Sequence, residues 1–278
     1  MLAIDDLQNS VTARMQRAQG RASVSFRRRD DRTCLDRLFQ EGCAKLRFPR
    51  PLGDEAPQAI LINTAGGLTG GDRFGTEVDL AENAEACLTT QACERVYRST
   101  GTDAVVTNRL RLAAGARLAW LPQETILFDG GRLSRSLDVD LAQDAELVAV
   151  EAVLFGRQAM GETLRNGHLH DRWRIRRGGR LLFADDLRVE GDIAARLAPQ
   201  PAMAGCGAVA TVLFTGAAPE RFLDAARSII GPDGGASTWN GKFLARLVEG
   251  TGLALRRRLE PLLTLLMGGR PLPKVWQL

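Results

Sequence analysis

The chain has 278 residues, 45% hydrophobic and 25% charged, with 37 Lys and Arg against 33 Asp and Glu and a formal net charge of +4. That composition excludes a disordered or low-complexity protein and is ample for a large core. So small a surplus of positive charge also argues against a dedicated nucleic-acid binder, whose basic residues form a dense field.

The opening "MLAIDDLQNS" is acidic and lacks the apolar run of a secretory signal. "FRRRDDR" (26–32) carries its own aspartates, so it is expected to be a solvated, internally paired face rather than a polyanion patch. Five widely spaced cysteines, Cys34, Cys43, Cys87, Cys93 and Cys206, form no CxxC and suit a reducing, cytoplasmic compartment better than a disulfide framework. The apolar run "AILI" leads into "NTAGGLTGGD" (63–72), four glycines in six residues closed by Asp72. The loop lacks the GK[ST] of a phosphate-binding P-loop and is not followed by a helical pattern. Asp72 and close-approaching backbone carbonyls could face a cation, but a tight bulged turn is the simpler expectation.

A repeat organises the middle of the chain. "VDLAENAEACLTT" (78–90), "LRLAAGARLAWLP" (110–122) and "VDLAQDAELVAVE" (139–151) each place an alternating strand, Leu-Ala, two small or polar residues, Ala, and a second strand. The leucines before the turn, Leu80, Leu112 and Leu141, recur at steps of 32 and 29 residues, and a looser copy follows at "WRIRRGGRLLFADD" (173–186) around Ile175. Such a recurring step marks stacked units that bury an apolar face only against one another. Alternation places Leu110, Leu112, Leu118 and Trp120 inward. The expected fold is mainly β: a helical, solenoid-like stack of strand-turn-strand repeats over about residues 20–215, with two helices packed on it in a C-terminal part over about 216–278. The whole chain is expected to be one domain.

Within "HLHD" (168–171), His168 and His170 are spaced to share one strand face, a weak imidazole pair for a metal or ordinary polar residues. Glu151, Glu162, Asp185, Asp186 and Glu190 sit among apolar residues, and a buried acid needs a partner or an ion. No nucleophile motif accompanies them. "APERFLDAARSIIG" predicts a helix with Pro219 in its first turn and Gly231 as its stop. "GKFLARLVE" alternates as a strand, and 251–269 predicts a second helix kinked or restarted at Pro261 and ended by Gly268-Gly269. No apolar run reaches the ~20 residues that a membrane span needs, and "RPLPKVWQL" is expected to be extended.

Five blocks in order, "NTAGGLTGGD", "VYRSTG" (96–101), "WLPQETILFDGG" (120–131), "LFGRQAMGE" (154–162) and "LPKVW" (272–276), resemble the urease accessory protein D family, also called H. The resemblance implies a helical β-fold and no enzymatic reaction of its own. It implies a scaffold for nickel insertion into apo-urease, paired with the F-type accessory protein and the G-type GTPase, with nickel in transit and no tightly bound cofactor. The family's acidic nickel path corresponds here to Asp72, Glu151 and Asp185. The blocks offer Gly66, Gly67, Gly70, Gly71, Tyr97, Arg98, Ser99 and Trp276 as loop and partner-contact residues. The competing reading is a carbohydrate-active solenoid enzyme, which needs two carboxylates ~5–9.5 Å apart in a cleft.

Overall fold

A computed structural model of the chain describes residues 16–50, 55–157 and 160–277. The sequence reading of residues 1–10 falls outside them, as do Gln158 and Ala159 of the fourth block. The chain winds between two stacked sheets. It enters through the hairpin β1 (Gln19–Arg29) and β2 (Arg32–Gly42), then β3 (Ala44–Arg47) and β4 (Gln58–Asn63). Three crossings follow from the seven-stranded to the ten-stranded sheet: β5 (Arg73–Leu80) to β6 (Glu85–Thr90), β8 (Ala104–Leu112) to β9 (Arg117–Leu121), and β11 (Arg132–Leu141) to β12 (Glu146–Phe155). β7 (Glu94–Val96) and β10 (Thr125–Leu127) form a short parallel ladder with the end of β12. This is the solenoid-like β architecture that the repeat predicts.

The repeated leucines mark true structural register. Leu80 pairs with Leu112, and Leu112 with Leu141, in adjacent parallel strands. One step inward, Val78, Leu110, Val139 and Ile175 form the next row, all fully buried. The motif's last alanine has an equally plain purpose: Ala84, Ala116 and Ala145 stack at the corner with no exposed surface. A larger side chain would push the coils apart there, because interiors are close-packed. Corner amides bond coil to coil, as Ala113 N donates to Leu80 O and Ala142 N to Leu112 O. Leu110, Leu112, Leu118 and Trp120 are all buried, as alternation requires.

The fourth copy departs from the repeat. β13 (Gly167–Arg177) continues the parallel stack, but Ile175 pairs with Val139 rather than Leu141. β14 (Arg180–Gly191) then returns antiparallel in the same sheet instead of crossing over. The cause is the turn: Gly178 and Gly179 both take positive φ, +54° and +76°, which suits a tight two-residue hairpin, whereas the alanine corner carries the chain across.

The short helix α1 (Ile193–Leu197), capped by Asp192, follows and was not evident from the sequence. β15 (Ala208–Thr215), α2 (Leu223–Ile230), β16 (Gly234–Trp239), β17 (Lys242–Glu249) and α3 (Gly252–Leu266) complete the described fold. α2 and α3 pack on the outer face of the ten-stranded sheet through Ala226, Leu255, Leu259, Leu262 and Leu266, with Phe222 of the 3₁₀ turn before α2, forming a second core. α3 runs unbroken through Pro261. The proline falls ten residues into a helix whose outer side tolerates a missing amide bond, so the predicted restart does not occur. The tail, expected to be extended, closes with a 3₁₀ turn at Lys274–Gln277 that buries Trp276. All five cysteines are free, and no helix among the described residues is long and apolar enough to cross a membrane.

The leucine rows make a direct prediction. Leu112→Ala, in mid-stack, is expected to cost about 2–5 kcal/mol. Arg111→Ala, which loses only the exposed contact to Asp79, is expected to cost no more than about 1 kcal/mol. Urea denaturation of both variants measures the difference.

Candidate functional site

The corners opposite the alanine stack gather the sequence blocks. Leu68 N donates to Arg95 O and Tyr97 N to Leu68 O, both at 2.7 Å, so the glycine loop makes a single parallel bridge, Leu68 opposite Val96, with the end of β7. Thr69 Oγ1 donates to Arg98 O, and Arg98 reaches Asp129 at 2.9 Å. Asp129 in turn accepts the amides of Arg165 and Asn166, while Glu162 accepts Asp129 N and pairs with Arg157. Four blocks that are far apart in sequence are therefore successive layers of one stacked face. Two glycines are required by that stacking. A Cβ at Gly70 would lie 1.9 Å from Ser99 Oγ and 2.2 Å from Thr102 O, and one at Gly67 would lie 2.3 Å from the Tyr97 ring. Tyr97, Arg98 and Met160 are exposed on this face.

Asp72 closes the loop by accepting backbone amides on both oxygens, Ala18 N on Oδ1 and Thr69 N on Oδ2, each at 2.8 Å. Trp276 is buried instead of presented: its Nε1 donates to Thr89 Oγ1 and Leu121 O, and Arg256 lies over its ring. Asp185, on β14, is paired across the sheets with Arg246 of β17. His168 and His170 share the outer face of β13, but each has its own carboxylate, Asp103 at 3.2 Å and Asp186 at 2.9 Å. The three acids expected on one path are thus in three different places.

Of the three, only Glu151 lines the cavity between the sheets; Asp185 bridges the sheets elsewhere, opposite Trp173. Glu151 lies on β12 beside a buried ion cluster. Arg135 Nη1 is 2.5 Å from Glu151 Oε2, and Trp120 Nε1 donates to Glu151 Oε1 at 3.2 Å. Arg135 and Asp171 are cross-strand neighbours on β11 and β13. The guanidinium donates to both Asp171 oxygens, at 3.1 and 2.5 Å, and to Thr125 Oγ1 at 3.0 Å. Arg135, Glu151, Trp120 and Thr125 of this cluster line a cavity of about 60 Å³ between the sheets, together with Glu94, Asn108, Gln123, Thr90 and the apolar Leu61, Leu68 and Phe74. The space holds a few water molecules at most.

Glu94 is the residue that the sequence reading passes over. It sits on β7 two residues before Val96 of "VYRSTG", with both carboxylate oxygens 3.2 Å from Asn63 Nδ2. Asn63 is the first residue of the glycine block, which ties that block to the cavity. Burial pushes the Glu94 carboxyl up from 4.5 to about 7, against the Asn63 hydrogen bond that lowers it. Burial likewise raises Glu151, while Arg135 pulls it back down. Burial disfavours the Arg135 charge, but Asp171 and Glu151 outweigh it and hold the guanidinium protonated. A period-2 strand preceding a recognised block could have flagged Glu94. Arg135 and Asp171 give no local signal, because each looks like an ordinary surface charge until the strands pair.

On the far side of the ten-stranded sheet, Arg256 of α3 grips Glu124 through Nε at 3.0 Å and Nη2 at 2.6 Å, and donates to Gln123 Oε1. Burial works against the Glu124 charge, but these bonds prevail and hold its carboxyl below the usual range. Glu124 also lies in "WLPQETILFDGG", so one block anchors the helical layer and lines the cavity. Among the described residues no group of three or more His, Cys, Asp or Glu side chains is arranged to hold a metal ion. The cavity presents two separate carboxylates and a cation instead.

Two outcomes follow. Asp72→Ala leaves two amides without acceptors and is expected to cost about 1–3 kcal/mol, with Asp72→Asn recovering part, read from thermal unfolding. Glu94 has a folded pKa above its ordinary value, so the folded chain binds more protons between about 4.5 and about 7. Its contribution is fully present below that window and is lost as pH rises through it. The stability of the parent relative to Glu94→Gln is therefore expected to fall from pH 4.5 to 7, measured by denaturation midpoints of both proteins.

Over residues 18–277 the sequence matches the protein family described as "UreD urease accessory protein". A protein of Agrobacterium fabrum named Urease accessory protein UreD is 48% identical over 274 residues, covering 99% of this chain and 95% of its own length. One from Mesorhizobium japonicum with the same name is 50% identical over 267 residues, 95% of each. Brucella anthropi has a protein named Urease accessory protein UreD 1 that is 51% identical over 269 residues, 94% of this chain and 95% of its own.

Proposed function

The chain belongs to the UreD urease accessory protein family, and from that premise we propose that it is a non-catalytic cytoplasmic scaffold through which nickel reaches apo-urease. Its role in urease maturation follows from the family. The finer reading is that it works in a complex with the F-type accessory protein and the G-type GTPase, and that the cargo cation crosses the space between the two sheets. The observation that carries this reading is the inter-sheet cavity walled by Glu94 and Glu151. Buried acids are destabilising unless something compensates them, so two in one small cavity call for a functional reason.

Carboxylate oxygens suit transit. A closed cage of thiolate and imidazole would hold Ni²⁺ too tightly to release it, whereas isolated oxygen ligands bind weakly. A conduit needs sites favourable enough to enter and weak enough to leave. In this reading Glu151 lies on the path, and Glu94 joins it because it lines the same cavity. Asp72 contributes by fixing the glycine loop over Asn63 and Glu94, and Asp185 by tying the two sheets together at their edge. Gly66, Gly67, Gly70, Gly71, Tyr97, Arg98 and Ser99 form the stacked face offered to a partner chain, and Trp276 pins the C-terminal layer from inside. The carbohydrate-enzyme alternative finds less support, since Asp185, Asp186 and Glu190 are each engaged by an arginine.

Glu151→Gln, nearly isosteric, is expected to leave the complex with the accessory partners intact while urease activity and urease nickel content fall severalfold after co-expression. Full nickel loading by that variant would contradict passage past Glu151.

A further inference from the structure

The inter-sheet cavity already contains a cation. Arg135 occupies one of the carboxylates that a divalent ion would need, at 2.5 Å from Glu151. The guanidinium does not hold its two acids in the same way. With Asp171 it makes two aligned hydrogen bonds, from Nε and from Nη2. With Glu151 it makes a close charge contact only: Glu151 Oε2 is buried and has no aligned hydrogen-bond donor. The other Glu151 oxygen is held by Trp120. Arg135 is thus anchored on Asp171 and leans on Glu151.

The charges support the same division. Arg135 and Asp171, paired through a fork, cancel. Glu94 and Glu151, when ionised, then leave two negative charges on the cavity wall, the complement of one divalent cation. An empty cavity could not keep Glu151 ionised without compensation, because an unpaired buried carboxylate is strongly disfavoured. A permanently bound divalent ion would face a guanidinium a few ångströms away, and like charges at that range repel strongly where water is excluded.

We propose that Arg135 is the place-holding counter-ion of this cavity, a positioning residue that leaves Glu151 when a divalent cation enters and returns when it departs. Because the guanidinium is planar and rigid, a closed fork on Asp171 fixes Nη1, so the exchange moves the Arg135–Asp171 pair as one unit away from Glu151 and breaks the Nη1 bond to Thr125 Oγ1. The proposal rests on the nickel passage described above and adds what makes that passage releasable. The guanidinium edge that faces Glu151 screens that carboxylate in part between deliveries, although Asp171 already matches its formal charge, and so lowers the cavity's affinity for its cargo. Without it, the conduit becomes a trap.

The test compares the chain, co-purified with its accessory partners, against Arg135→Met/Asp171→Asn, which removes the cancelling pair together, and against Asp171→Asn alone. Nickel ion itself is the probe, with affinity read by equilibrium dialysis and delivery by the rate of urease nickel loading. The double variant leaves the net charge unchanged but takes away the positive edge that faces Glu151, so it is expected to bind nickel about tenfold more tightly and to deliver it more slowly. Asp171→Asn frees the guanidinium to settle fully on Glu151, so nickel binding is expected to weaken. Tighter retention with slower delivery in the first, or weaker binding in the second should the first not fold, supports the proposal. Unchanged affinity and delivery in the folded variants overturns it. If Glu151→Gln still blocks delivery in that case, the passage stands and only the role of Arg135 falls. If Glu151→Gln delivers normally, the passage itself has failed.

Discussion

Everything in this protein depends on parallel coils staying in register. A single coil of this chain, two short strands and a corner, cannot bury its own apolar face. It becomes stable only when Leu80, Leu112 and Leu141 stand side by side and the corner alanines Ala84, Ala116 and Ala145 close-pack beneath them. Register at one corner dictates register at the other. Because the alanine corner is tight and repetitive, the opposite corners must absorb the differences in coil length. That is where the glycine-rich loop, Tyr97, Asp129 and Glu162 interlock.

The same constraint creates the cavity. A strict repeat would fill the inter-sheet space with leucine and valine at every level. In the row that runs through Phe74 and Val106, β11 and β13 instead place Arg135 and Asp171, and β12 faces them with Glu151. The apolar ladder on one side and the pinned loops on the other hold these charges at fixed distances. An ion cluster of this kind is weak evidence for stability, since well-packed apolar residues serve a core as well or better. Its presence in a fold otherwise so regular is the strongest internal argument that the space between the sheets has a task.

The β-stack was legible in the sequence because its cause is local: Leu-Ala-x-x-Ala corners between alternating strands repeat often enough to be counted. The fourth copy shows where that reading stops, since two glycines turned a crossing into a hairpin and shifted Ile175 onto Val139. The glycine block was legible as a turn, and Asp72 within it as a special acid, but its partners are backbone amides that no pattern reveals. Glu151 could be singled out as an acid in an apolar strand. Arg135, Asp171 and Glu94 could not be joined to it, because their proximity arises only from parallel pairing across some thirty residues per coil. Trp276 was visible as a block residue, yet only tertiary packing shows that it serves the helical layer from within.

Nickel-edge anomalous diffraction from nickel-soaked crystals of the complex tests the central claim most directly. The account predicts an anomalous peak inside the inter-sheet cavity, within ligand distance of Glu94 and Glu151, with the Arg135 side chain displaced from Glu151 and still on Asp171. Peaks confined to the outer face, at His168 or His170 or among the exposed carboxylates, with the cavity empty and Arg135 unmoved at saturating nickel, would contradict it.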